Sequence, residues 1–228
     1  MASTGPALVP RVLGRLAPRV LWHGPAGTDA VALTYDDGPH RALTSQLLDI
    51  LAAHEARATF FVVGERIAGH EDLLDRIVAE GHELGNHLMR DEPSVRLPLG
   101  EFARQLAEVT AMLAPFQQVR WFRPGSGWFT PRMLDVAADQ GLRCVLGSVA
   151  GMHTGRLGDR FVAGRVLQGL TPGAIGVLHE GSDRRHGVLA ATEGIAQALH
   201  RRGRPLVTVS ELVGDLGAGL EAPERGIP

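Results

Sequence analysis

Thr34-Tyr35-Asp36-Asp37-Gly38-Pro39-His40 follows the apolar run Val31-Ala32-Leu33 and breaks it with two adjacent carboxylates and a Gly-Pro turn. Neighbouring side chains on a strand point to opposite faces, so two adjacent acids can serve one site only where the strand bends or ends. Gly38 and Pro39 supply that ending. Asp-Asp-Gly-Pro is also ordinary turn chemistry, and the segment takes its meaning from what the rest of the chain places beside it.

Outward from this stretch, short apolar runs alternate with helical periods. Residues 31–35, 58–63, 82–86, 118–123, 142–147, 174–178 and 205–209 read as strands. Residues 42–54, 71–80, 101–114, 131–140, 159–170 and 189–202 read as amphipathic helices, with Gly81, Gly141 and Gly203 where C-caps are expected. Regular strand-helix alternation implies parallel strands, closed as a barrel or open as a doubly wound sheet, with working groups at the strands' C-terminal ends. Reactive residues gather at those ends: Asp36 and Asp37, then His87, Arg123 and His179. The expected division is an N-terminal segment 1–28 packing on the barrel, a catalytic domain 29–214 and a loosely packed tail 215–228.

Composition narrows the chemistry. A formal net charge of -2 argues against nucleic acid as a partner. The single cysteine, Cys144, excludes an internal disulfide and a cysteine zinc cluster, so any metal must be held by histidine and carboxylate. Every one of the 23 basic Lys+Arg positions is arginine, which excludes lysine Schiff-base chemistry and a phosphate-loop lysine. Arg11, Arg15 and Arg19 interrupt the apolar residues of the N-terminal segment, so no signal-peptide core is expected, nor a transmembrane span elsewhere. The simplest expected compartment is the cytoplasm. Oligomeric state is not legible.

Three further clusters carry chemistry. In Gly81-His82-Glu83-Leu84-Gly85-Asn86-His87-Leu88-Met89-Arg90-Asp91, His87 and Asp91 share one face if the chain turns helical there. With Asp37 they make three ligands for a divalent cation and leave a position for water; a surface hydrogen bond is the simpler reading of the His-Asp pair alone. His82 is assigned to packing near a strand start. In Trp121-Phe122-Arg123-Pro124-Gly125-Ser126-Gly127-Trp128, Arg123 can fix a neighbouring carboxylate, and the Gly-Ser-Gly turn frees backbone N-H groups to face developing negative charge. In Val177-Leu178-His179-Glu180-Gly181, His179 can donate a proton to a leaving group.

Four such motifs in this order resemble the polysaccharide deacetylases, the family-four carbohydrate esterases that share a domain with nodulation chitooligosaccharide deacetylases. The resemblance runs from about Ala30 to Val213 and includes Arg204-Pro-Leu-Val-Thr-Val-Ser-Glu-Leu near the end. It implies an α/β fold, a distorted (β/α) barrel of about seven parallel strands. By it, Asp36 is the general base, Asp37 and His87 are metal ligands, Arg123 orients the base, His179 is the general acid, and the backbone N-H of Ser126 helps hold the oxyanion. The chain departs from the family at two places. Asp91 stands where a second metal histidine is usual, which removes a unit of positive charge from the site and favours ions harder than zinc, such as Co, Mn or Mg. The fifth strand is followed by Leu146-Gly147-Ser148-Val149-Ala150-Gly151-Met152-His153, without the usual supporting aspartate and tryptophan. Trp128 can stack on a pyranose ring or pack on the rim, and His153 and His186 are assigned no more than the mouth of the site.

The expected function is metal-dependent removal of N-acetyl groups from an amino-sugar-containing oligo- or polysaccharide. The rivals are a related amide hydrolase acting on a formyl group or cyclic ureide, and a catalytically silent carbohydrate-binding barrel.

Overall fold

The computed structural model describes residues 17–150, 164 and 166–214. The strands are β1 Val20–Leu21, β2 Val31–Gly38, β3 Thr59–Val62, β4 Glu83–Asn86, β5 Trp121–Phe122, β6 Arg143–Val145, β7 Val149–Ala150, β8 Ile175–His179 and β9 Leu206–Val207. The helices are α1 Arg41–Ala53, α2 Glu71–Ala79, α3 Leu99–Leu113, α4 Pro131–Asp139, α5 Gly187–Arg201 and α6 Val209–Val213. The sheet runs β1-β6-β5-β4-β3-β2-β8-β7, with β9 also on β2 and every strand pair parallel. Curled within its ring of helices, it is a distorted (β/α) barrel.

All seven expected strands are present, and two short ones join them. β1 pairs with β6 through Val20↔Cys144 and Leu21↔Val145, so part of the segment 1–28 is built into the sheet. β7 pairs with β8. Five expected helices match α1 to α5 within about two residues; of the sixth, 159–170, residues 166–169 are helical and most of the rest lies outside the described residues. The tail 215–228 and residues 1–16 also lie outside them.

Strand alternation sorts side chains into two environments. Leu33 and Tyr35 of β2, Phe60 of β3 and Phe122 of β5 face the helices and join Leu47, Leu51, Leu74, Ile77, Phe102 and Leu106 in the larger core cluster. Tyr35 stacks on Phe60 with centroids 5.0 Å apart. Ala32, Phe61, Trp121, Val145 and Ile175 form the inner cluster, closed below by Val209, Leu212 and Val213 of α6. Above it the same inward face of β2 delivers Thr34 and then Asp36.

The base is held by a buried carboxylate. Glu83 accepts from Thr59 Oγ1 at 2.8 Å, Trp121 Nε1 at 3.0 Å and the Ser210 N-H at 3.2 Å, and also bonds the Ser210 hydroxyl. The expected strand 205–209 gives way to α6 at Val209, where a capping box lets Thr208 and Glu211 satisfy each other's backbone N-H. His82 is buried, accepts from the Ala58 N-H at 3.2 Å and packs edge-on to Phe60, as its assignment to packing required.

Glu83→Ala leaves several donors without an acceptor beneath the barrel. It should cost about 3 kcal/mol or more in chemical denaturation; an unchanged midpoint would show that Glu83 does not anchor α6.

Candidate active site

The two adjacent carboxylates reach one rim because β2 is irregular there. Its register with β3 shifts between Asp36 and Gly38, and Asp37 has φ 68°, so the alternation that would separate the two side chains is broken. Asp36 keeps the inward position, level with Phe61 on β3 and His179 on β8. Both acids are buried.

Arg123, just past β5, fixes Asp36. Its Nη1 donates to Asp36 Oδ1 at 2.5 Å and Thr34 Oγ1 at 2.8 Å, and its Nε to the Val145 carbonyl at 2.9 Å. The guanidinium lies 4.0 Å from the Phe61 ring centroid. Asp36 Oδ2 is turned to the other side, 3.9 Å from His179 Nε2.

Asp37 faces His87, with Oδ1 3.2 Å from Nε2. The other ring nitrogen, Nδ1, lies 2.8 Å from the Arg123 carbonyl, which only accepts, so Nδ1 carries a proton. Nε2 therefore meets the carboxylate as a second acceptor unless a cation, a proton or a metal ion, lies between them. Burial alone would raise the Asp37 pKa, but the hydrogen bond and charge of His87, then the charges of Arg185 and His179, hold it well below the usual carboxylate range. Burial favours neutral His87, yet the charge of Asp36 and its contacts with Asp37 raise its pKa. Arg185 forms an ion pair with Asp37 Oδ2, and Arg66 donates to the carbonyls of Asp37 and Gly181.

A divalent ion fits this pair. Two donors about 2.1 Å from one ion at tetrahedral or octahedral angles are about 3.0–3.4 Å apart, which brackets the observed Asp37–His87 separation, and the Nδ1 hydrogen bond directs the Nε2 lone pair inward. The expected third ligand is not with them. Asp91 is exposed, and no group of three His, Cys, Asp or Glu side chains suited to a metal occurs among the described residues. The His87–Asp91 spacing puts both on one face only in a helix, and the chain is not helical there. Leu88 has φ 64°, its N-H donates to Asn86 Oδ1 at 2.8 Å, and its carbonyl and that of Met89 bond the N-H groups of Gly64 and Glu65. Farther on, Ser94 Oγ accepts from the Gly125 N-H at 2.7 Å. This path carries Asp91 out to solvent.

Ser126 is exposed in the turn after β5, with φ 62°. Trp128 is also exposed, at 69%. His153 lies outside the described residues, and His186 is exposed at the start of α5.

Sequence reasoning assigned no role to Arg185, Arg66 or Glu180. Arg184-Arg185 and Arg66 had no spacing that tied them to the acids. Glu180 is fully buried, its Oε2 accepts from Thr44 Oγ1 at 2.5 Å, and its Oε1 has no partner among the described residues. A Cβ on Gly38 would lie 2.1 Å from that Oε1, so any side chain there would displace the Glu180 carboxylate. Burial pushes the Glu180 pKa up to about 8 against the Thr44 hydrogen bond and the Arg66 charge. The folded protein thus holds a proton that the unfolded chain releases near 4.5. Stability from this group falls by about 1.4 kcal/mol per pH unit as pH rises between those values. Glu180→Gln should flatten the loss of stability between pH 5 and pH 8 in urea denaturation; parallel profiles for both proteins would show Glu180 ionised in the fold.

The fold and motifs agree with known proteins. The polysaccharide deacetylase family model matches residues 23–145. A chitooligosaccharide deacetylase of Sinorhizobium fredii is 34% identical over 190 residues, covering 78% of this chain and 88% of the relative. A peptidoglycan-N-acetylglucosamine deacetylase of Bacillus cereus is 30% identical over 200 residues, covering 85% and 92%. Among solved structures, the Bc1960 peptidoglycan N-acetylglucosamine deacetylase superposes with a TM-score of 0.82 at 26% identity, covering 87% of this chain and 95% of that one. BA3943 of Bacillus anthracis, described as a CE4 family pseudoenzyme, superposes at 0.78 with 25% identity, covering 86% and 69%. With its parallel barrel, its acids at the end of β2 and these relatives, the chain belongs to the polysaccharide deacetylase family.

Proposed function

We propose that this protein hydrolyses the N-acetyl group of an amino-sugar-containing oligo- or polysaccharide, releasing acetate and a free amine. The observation that carries the reading is the placement of Asp36 at the rim, fixed through one oxygen by Arg123 and open through the other toward His179. The substrates named for the relatives, chitooligosaccharide and peptidoglycan, support an N-acetylated glucosamine unit.

Asp37 and His87 would hold a divalent ion, which when bound supplies Lewis-acid polarisation of the acetyl carbonyl and acidification of a water. Asp36 takes a proton from the attacking water, whose oxygen bonds to the acetyl carbon. Arg123 keeps Asp36 aligned and offsets its charge, and the Ser126 N-H faces the developing oxyanion. Burial, more than the opposing charges of Asp36 and Asp37, lowers the His179 pKa below its usual value, so the ring is neutral at rest. The proton collected by Asp36 is then 3.9 Å from the group that must deliver it. His179 passes it to the nitrogen as the C-N bond breaks. Trp128 offers an exposed face for a pyranose ring.

The position of Asp91 outside the cluster favours a second reading, a barrel that binds sugar without turnover; acetate release with Zn, Co, Mn or Mg supplied in turn decides between them. Asp36→Asn should keep metal binding while acetate release falls about 10²–10⁴-fold; full activity would remove Asp36 as the base. Trp128→Ala should raise KM about three- to tenfold with kcat nearly unchanged, as loss of a stacking contact requires; an unchanged KM takes Trp128 out of the sugar site.

A further inference from the structure

We propose that Arg185 is the resident counter-cation of Asp37, and that a divalent ion enters this site only by displacing it. The inference rests on Asp37 and His87 as the ion's ligands.

Asp37 has two oxygens and both are engaged: Oδ1 with His87, Oδ2 with the Arg185 guanidinium. Each carboxylate already has a guanidinium in contact, Arg123 on Asp36 and Arg185 on Asp37, and Arg66 adds a third at the Asp37 carbonyl. A divalent ion added with Arg185 in place leaves a buried surplus of positive charge, and departure of Arg185 removes part of it. No third carboxylate or histidine among the described residues completes a ligand group with Asp37 and His87.

The two arginines differ in how firmly they are held. Arg123 has 2% of its side chain exposed and is tied to Val145 and Thr34 as well as Asp36. Arg185 is 27% exposed, and among the described residues its side chain donates to Asp37 alone. It sits on the short 3₁₀ turn Asp183–Arg185 between β8 and α5, whose Asp183 is 83% exposed and meets His40 Nε2 at 3.3 Å. The guanidinium can leave for solvent without unpacking a strand. Arg123 cannot.

The test is calorimetric titration of zinc into the metal-free full-length protein. Arg185→Gln should bind zinc at least tenfold more tightly than the unmodified protein, and affinity equal to or weaker than that of the unmodified protein overturns the proposal. Arg185→Lys keeps the charge but loses the planar fork, so its affinity should fall between the two; it gives the same comparison if the glutamine variant fails to fold, and no gain there overturns the proposal equally. Asp37→Ala should abolish binding. If zinc still binds that variant, the ion lies elsewhere and both the ligand assignment and this inference fall; if binding is lost while Arg185→Gln gains nothing, only the inference does.

Discussion

The buried ion pair between Arg123 and Asp36 is the interaction on which the rest of the site depends. A guanidinium inside a barrel costs heavily unless its donors find acceptors; Nε and Nη1 find them on Val145, Thr34 and Asp36, the Phe61 ring lies against the face, and Nη2 has no acceptor among the described residues. One residue thereby ties three strands together at the level of the site. Its backbone contributes as well, since the Arg123 carbonyl sets which nitrogen of His87 carries a proton. Asp36 and the His87 imidazole are oriented by a single position.

Asp37 and Glu180 show that burial keeps an acid protonated unless cations in contact outweigh it. Both are buried, at the ends of the paired strands β2 and β8. Asp37 touches His87 and Arg185 and is held ionised, whereas Glu180 is bonded by a hydroxyl and stays protonated to a pH of about 8. Had Glu180 ionised, a further negative charge would sit beside Asp37 with no cation in contact. The site thus keeps its carboxylate charge on the two residues that face the rim.

The opposite end of the barrel has no part in the chemistry but fixes its geometry. Glu83 collects Thr59, Trp121 and Ser210, and so joins β3, β4, β5 and α6 beneath the lumen. Phe61 and Trp121 pack above that floor on the inward face. The strands that end in Asp36 and Arg123 are held at one height by this closure.

Much of this was legible in the chain, and the boundary has a physical cause. Period and turn chemistry located seven strands, because apolar alternation and Gly or Pro punctuation are local properties. Asp36, Asp37, His87, Arg123 and His179 were legible as rim residues because parallel topology sends every strand's C-terminal end to one side. β1 and β7 were not, since two-residue strands have no period and exist only because a neighbour offers an edge. Asp91 is paired with His87 by spacing and by the position of the family's second histidine, and spacing yields a shared face only in a helix; the left-handed Leu88 and the anchoring of the loop on Asn86, Gly64 and Ser94 remove that premise. The sequence by itself determined the parallel strands, the edge at which the candidate site residues gather and the acids that end β2, while the choice of barrel over open sheet came from the resemblance. Only the tertiary structure decided which cations meet each carboxylate, because Arg185 lies 148 positions from Asp37 and contacts at that distance arise from the pairing of β2 with β8 rather than from any local pattern.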